Sequence, residues 1–161
     1  MLPDETDVLL VQDNPLEVEL TLRPLQDLDS AWRIGVARDG EEALDYLLGR
    51  GAFRHRLGAP LPRLILLDFR LPRVDGVEVL RALRASPRAS AAPVVMLVSA
   101  AEPREIAQCY QVGANSCVQK PVDYAGYYQT IQLVGRYWLG ENLVAPIGVP
   151  AIQRGGAPTP S

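Results

Sequence analysis

LILLDFRLPRVDG, residues 64 to 76, decides how the chain is read. Four apolar side chains in a row, Leu64 to Leu67, suit a strand covered on both faces, because a strand with one wet face alternates apolar and polar. The run ends on Asp68. A carboxylate at the end of a buried strand needs water, a cation or hydrogen-bond donors, since burying it unpaired is too costly. Asp75, followed three positions later by Glu78, then marks a helix start, the Asx oxygen accepting amide hydrogens of the first turn.

Outward from this segment, apolar runs recur at Val8 to Val11, Arg33 to Ala37, Val94 to Val98 and Ser116 to Val118. Five strands alternating with helices make an α/β fold with a parallel sheet. Asn14 with Glu17 and Asp39 with Glu42 repeat the helix-start signal, and all three pairs read as reciprocal capping boxes. Pro15 suits the first helical position and Pro24 is expected to kink that helix near its end. Gly113 suits the cap of a helix over Pro103 to Val112. From Tyr124 onward Tyr127, Tyr128, Ile131, Val134 and Trp138 recur at helical spacing. This fifth helix would pack the stripe on the core and leave one edge to dimerise.

The chain has 161 residues, 48% of them hydrophobic and 22% charged, with a net charge of -3, which describes one globular domain. No broad positive field exists to wrap nucleic acid or an anionic membrane. Arg50, Arg54, His55, Arg56 and Arg63 form the one basic cluster, expected to be a solvated loop face. They lie in GRGAFRHRLGAPLPR, residues 49 to 63, a long loop of the kind that is functional or mobile. Cys109 and Cys117 are too few for a disulfide framework, and His55 is the single histidine, so a zinc site is unsupported and a reducing cytoplasm fits. No charged-then-apolar leader opens the sequence and no apolar run reaches membrane-spanning length. After Gly140 the segment ENLVAPIGVPAIQRGGAPTPS is proline-rich and its end is expected to be disordered.

In a parallel sheet, ligands bind outside the carboxyl ends of the strands. Those ends here carry Gln12 and Asp13, Asp68, Ser99, and Lys120 with Pro121. Carboxylates suit a hard cation such as Mg²⁺ that keeps much of its water, while a hydroxyl and an ammonium suit phosphoryl oxygens.

VLLVQDN (8 to 14), LILLDFRLPRVDG, VMLVSA (95 to 100) and QKP (119 to 121) together resemble the receiver domain of two-component response regulators. The resemblance runs over about residues 7 to 138 and implies a flavodoxin-like (βα)5 fold with strand order 2-1-3-4-5. The long loop before the third strand and the ending RYWLGENLVAP resemble the stand-alone regulators paired with phytochrome kinases. Residues 1 to 6 are then a lead-in, 7 to 138 the receiver domain and 139 to 161 an extension that contacts a dimer partner before becoming disordered.

What the resemblance implies is a signalling protein rather than an enzyme, with Asp68 as phosphoacceptor for the phosphohistidine of a sensor histidine kinase, a bacteriophytochrome being the narrower match. Asp13, Asp68 and the backbone carbonyl of Arg70 would hold Mg²⁺. Lys120 would pair with Asp68 and then with the phosphoryl group, and Ser99, followed by Ala100 in the switch loop, would donate to it. Pro121 matches a position preceded by a cis peptide bond. Dimerisation would use the fourth helix, fifth strand, fifth helix and extension.

Two residues depart from the pattern. Gln12 stands where the family usually has a second acid, and its amide oxygen is expected to accept from a metal-bound water, weakening Mg²⁺ binding by about 10-fold or more. Cys117 stands where many receivers have a Tyr or Phe, too small to report switching by ring rotation. A phosphorylation-independent binding module therefore remains as the rival reading. A haloacid-dehalogenase type phosphohydrolase is opposed by Arg70, which occupies the general-acid position with a permanently charged guanidinium.

Overall fold

The computed structural model describes residues 2–146. Five parallel strands, β1 (Val8–Val11), β2 (Ile34–Ala37), β3 (Leu64–Asp68), β4 (Val94–Val98) and β5 (Ser116–Gln119), form one sheet of order β2-β1-β3-β4-β5. Five α-helices follow them in turn: α1 (Pro15–Leu28), α2 (Gly40–Leu48), α3 (Gly76–Ala85), α4 (Pro103–Val112) and α5 (Tyr124–Arg136). This is the flavodoxin-like arrangement expected.

The uniformly apolar strands have a direct cause. Leu9, Val11, Ile65, Leu67, Val94, Met96 and Val98 join α2 and α3 residues such as Leu44, Leu47, Leu80 and Leu83 in one core. The alternate residues Val8, Leu10, Leu64, Leu66, Val95 and Leu97 face Val18 and Leu25 of α1 and Tyr127, Ile131 and Val134 of α5 in a second core. A central strand buried on both faces has no polar position to offer. The aromatic stripe divides: Tyr127 is buried and Trp138 packs at the edge of the second core, while Tyr124 and Tyr137 are exposed.

The helix caps form on one side only. Asn14, Asp39 and Asp75 accept from the backbone N–H of Glu17, Glu42 and Glu78. The reciprocal half differs for the first two, because Asn14 N–H donates to Gln12 Oε1 at 3.0 Å and Glu42 accepts from Arg38 N–H. Glu17 is thereby free to reach elsewhere. Helix α1 continues four residues past Pro24 to Leu28, and Gly113 ends α4 in the left-handed region at φ 119°.

Residues 49–63 are not a plain loop, and one member of the otherwise solvated basic cluster is buried. A 3-10 helix spans Gly51–Arg56, and Arg56 is 1% exposed. Its guanidinium lies 3.6 Å over the Tyr46 ring, with Nε donating to the Tyr46 carbonyl at 3.1 Å and Nη1 to that of Asp4. Charge count alone could not separate Arg56 from its exposed neighbours. The Lys120–Pro121 bond also corrects an expectation: no cis peptide exists among the described residues. Trans is the X-Pro form favoured by about 0.5–1 kcal/mol, and with it Lys120 N–H still donates to the Val98 carbonyl at 2.8 Å. Past α5, a π turn at Tyr137–Glu141 leads into the extension, whose expected disordered end lies outside the described residues.

Arg56→Met should cost about 3 kcal/mol, as a desolvated cation-π contact and two carbonyl partners are lost together. Urea unfolding of the variant checks this, and Arg56→Lys should recover little, because an ammonium has no planar fork to share between ring and carbonyls.

Candidate functional site

The carboxyl ends of β1, β3, β4 and β5 lie side by side, since the register pairs Val11 with Leu67, Asp68 with Leu97 and Val98 with Gln119. Residues one step beyond each strand therefore meet at one edge. Gly76 lets α3 start hard against this edge: a β-carbon there would run into the Asp68 carbonyl oxygen and stand 3.0 Å from Phe69 Cα. Glycine is required by the close approach of backbone to backbone.

Asp68 is 5% exposed and Lys120 9%. Lys120 Nζ donates to Asp68 Oδ2 at 2.9 Å and to Glu17 Oε2 at 3.1 Å, bridging β3 to the first turn of α1. Burial pushes the Asp68 carboxyl above its ordinary value, against the opposing pull of Lys120 and then Gln12. Burial works to lower the Lys120 ammonium, but Asp68 first and Glu17 second outweigh it and hold the group above its ordinary value. The chain has no other lysine.

The Gln12 side chain is 1% exposed, and its Oε1 accepts from Asn14 N–H. The amide nitrogen donates to Asp68 Oδ2, the oxygen that Lys120 also holds. The sequence gives no sign of this direction, because an amide offers donor and acceptor alike. Glu17 was legible only as a capping residue; its place beside Lys120 follows from the fold.

Asp13 and Ser99 are exposed, and neither side chain hydrogen-bonds among the described residues. Ser99 and Lys120 line an open groove of about 440 Å³ with Glu17, Pro121 and Tyr127. Ala100 lies with Arg70 and Glu105 at the neighbouring entrance to α4. Arg70 turns its side chain to Glu105, at 2.6 Å, and over the Phe69 ring. No group of three or more His, Cys, Asp or Glu able to hold a metal occurs among the described residues. Asp13, Asp68 and the Arg70 carbonyl are two carboxylates and a backbone oxygen, a donor set that fits a hard cation keeping most of its own water.

Cys117 sits on the edge strand β5, its backbone N–H donating to the Tyr110 hydroxyl at 3.1 Å. Burial pushes its thiol up, and pushes that of Cys109 to about 12, so both stay protonated at neutral pH.

The response regulator receiver domain family matches residues 8–132. The chain is 40% identical over 136 residues to the probable methanogenesis regulatory protein FilR2 of Methanothrix harundinacea, covering 84% of each. It is 42% identical to the bacteriophytochrome response regulator AtBRR, with a TM-score of 0.65 over 83% of this chain and 94% of that one. The Mn²⁺-bound form of response regulator Rcp1, a Synechocystis protein, is similar at a TM-score of 0.80 and 26% identity, over 88% of this chain and 100% of the other. Fold and sequence agree, and the chain belongs to the response regulator receiver family.

Proposed function

We propose that this receiver accepts a phosphoryl group on Asp68 from the phosphohistidine of a sensor histidine kinase, and signals through protein contacts. The observation that carries this is the buried Asp68 carboxylate held 2.9 Å from Lys120, with Asp13 exposed just past the end of the neighbouring strand β1. A carboxylate oxygen would attack phosphorus as the phosphorus–nitrogen bond breaks, the imidazole nitrogen keeping the bonding pair. The loose transition state spreads charge over the equatorial oxygens, so positioning and cationic groups supply most of the rate. Lys120 would follow that charge while Glu17 keeps its other side occupied, and Ser99 faces the groove from which the donor would enter. Asp13, Asp68 and the Arg70 carbonyl would hold Mg²⁺, which when bound supplies further positive charge to the phosphoryl oxygens.

The similarity to a bacteriophytochrome response regulator supports a phytochrome-type kinase as partner, in the cytoplasm. Residues 7–138 serve as the receiver and 139–161 as an extension. Helices α4 and α5 and the turn after them carry exposed Tyr110, Tyr124, Leu133 and Tyr137, apolar surface that supports a two-fold dimer using α4, β5 and α5.

Incubation with acetyl phosphate and Mg²⁺, followed on phosphate-affinity gels, should shift the wild type. Asp68→Asn should show no shift, and Lys120→Met should slow labelling by on the order of 10²-fold, as for removal of one charge-stabilising donor. A shifted Asp68→Asn protein would place the acceptor elsewhere. In light scattering the wild type should weigh twice one chain and Leu133→Arg one chain; a monomeric wild type would remove the dimer.

A further inference from the structure

The amide of Gln12 is locked at both ends. Asn14 N–H can be received only by an oxygen, so Oε1 is fixed on that side and Nε2 must face Asp68. Asp68 Oδ2 thus holds two donors, an ammonium and a neutral amide. The site sets two carboxylates, Glu17 and Asp68, on one ammonium, Lys120. An acid in place of Gln12 would make three, with two buried carboxylates in direct contact, an arrangement that demands a proton or a cation between them.

We propose that Gln12 is a positioning residue that makes the resting site independent of divalent cation: its N–H supplies between positions 12 and 68 the positive end that a bound cation would otherwise have to supply. The nucleophile is then held ready by the protein alone, and cation binding adds little to stability. The consequence for phosphotransfer rests on Asp68 being the phosphoacceptor; the consequence for stability does not.

The two can be tested apart. Thermal unfolding at neutral pH, with and without millimolar Mg²⁺, is compared for wild type, Gln12→Glu and Gln12→Met. A ligand that binds only the folded state stabilises it by RT ln(1 + [L]/Kd), which raises the midpoint. Without Mg²⁺, Gln12→Glu should melt several degrees below wild type and should recover on adding Mg²⁺, which offsets the carboxylate repulsion. Wild type should change little with Mg²⁺. Gln12→Met, which keeps length and loses the donor, should melt below wild type and gain no Mg²⁺ response. In amide spectra the Gln12 side-chain signals should be displaced by Asp68→Asn. Equal midpoints and equal Mg²⁺ gains for wild type and Gln12→Glu would overturn the proposal, as would Gln12 signals indifferent to Asp68→Asn. If these stability results hold while acetyl phosphate fails to label wild type, the phosphoacceptor reading fails alone. Labelling at Asp68 without the stability ordering defeats this inference alone.

Discussion

A carboxylate and an ammonium are held together in a nearly dry pocket at 2.9 Å, and the site is arranged around that pair. Buried ion pairs add little net stability, because desolvation offsets their attraction, yet removing one partner leaves an uncompensated buried charge and is strongly destabilising. The Asp68–Lys120 pair therefore constrains more than it stabilises. It requires the ends of β3 and β5 to lie one strand apart, which the order β2-β1-β3-β4-β5 supplies.

Charge placement around the pair sets its pH behaviour. Burial holds the Asp68 carboxyl above its unfolded value, so the folded state binds that proton more tightly. Stability from this group falls as pH rises between the two values. Lys120 shifts in the same sense, its folded value also lying above the unfolded one: its contribution is complete below the unfolded lysine value and is lost as pH rises through the folded one. Glu17 and Gln12 add a second acceptor for the ammonium and a second donor for the carboxylate.

Much of this was legible from residues alone. Uninterrupted runs such as LILL and VVMLV implied doubly covered parallel strands, and the polar residues ending them implied one edge. What escaped had a common cause, the direction of a side chain with more than one possible partner. Glu17 had a local partner in the Asn14 amide and took a distant one in Lys120; Gln12 had an oxygen and a nitrogen to offer and turned the nitrogen inward. Arg56 looked like its solvated neighbours until the fold placed Tyr46 beneath it. The bond before Pro121 is trans, against what the resemblance implied.

Because Lys120 is the only lysine of the chain, protein labelled with ¹³C at lysine Cε gives one lysine signal, and its alkaline titration reads the central pair directly. The account requires a midpoint above the ordinary lysine value of 10.5, moving down in Asp68→Asn and by a smaller step in Glu17→Gln. A midpoint at or below the ordinary value, unmoved by Asp68→Asn, would mean that Lys120 is not paired with Asp68 in solution and would contradict it.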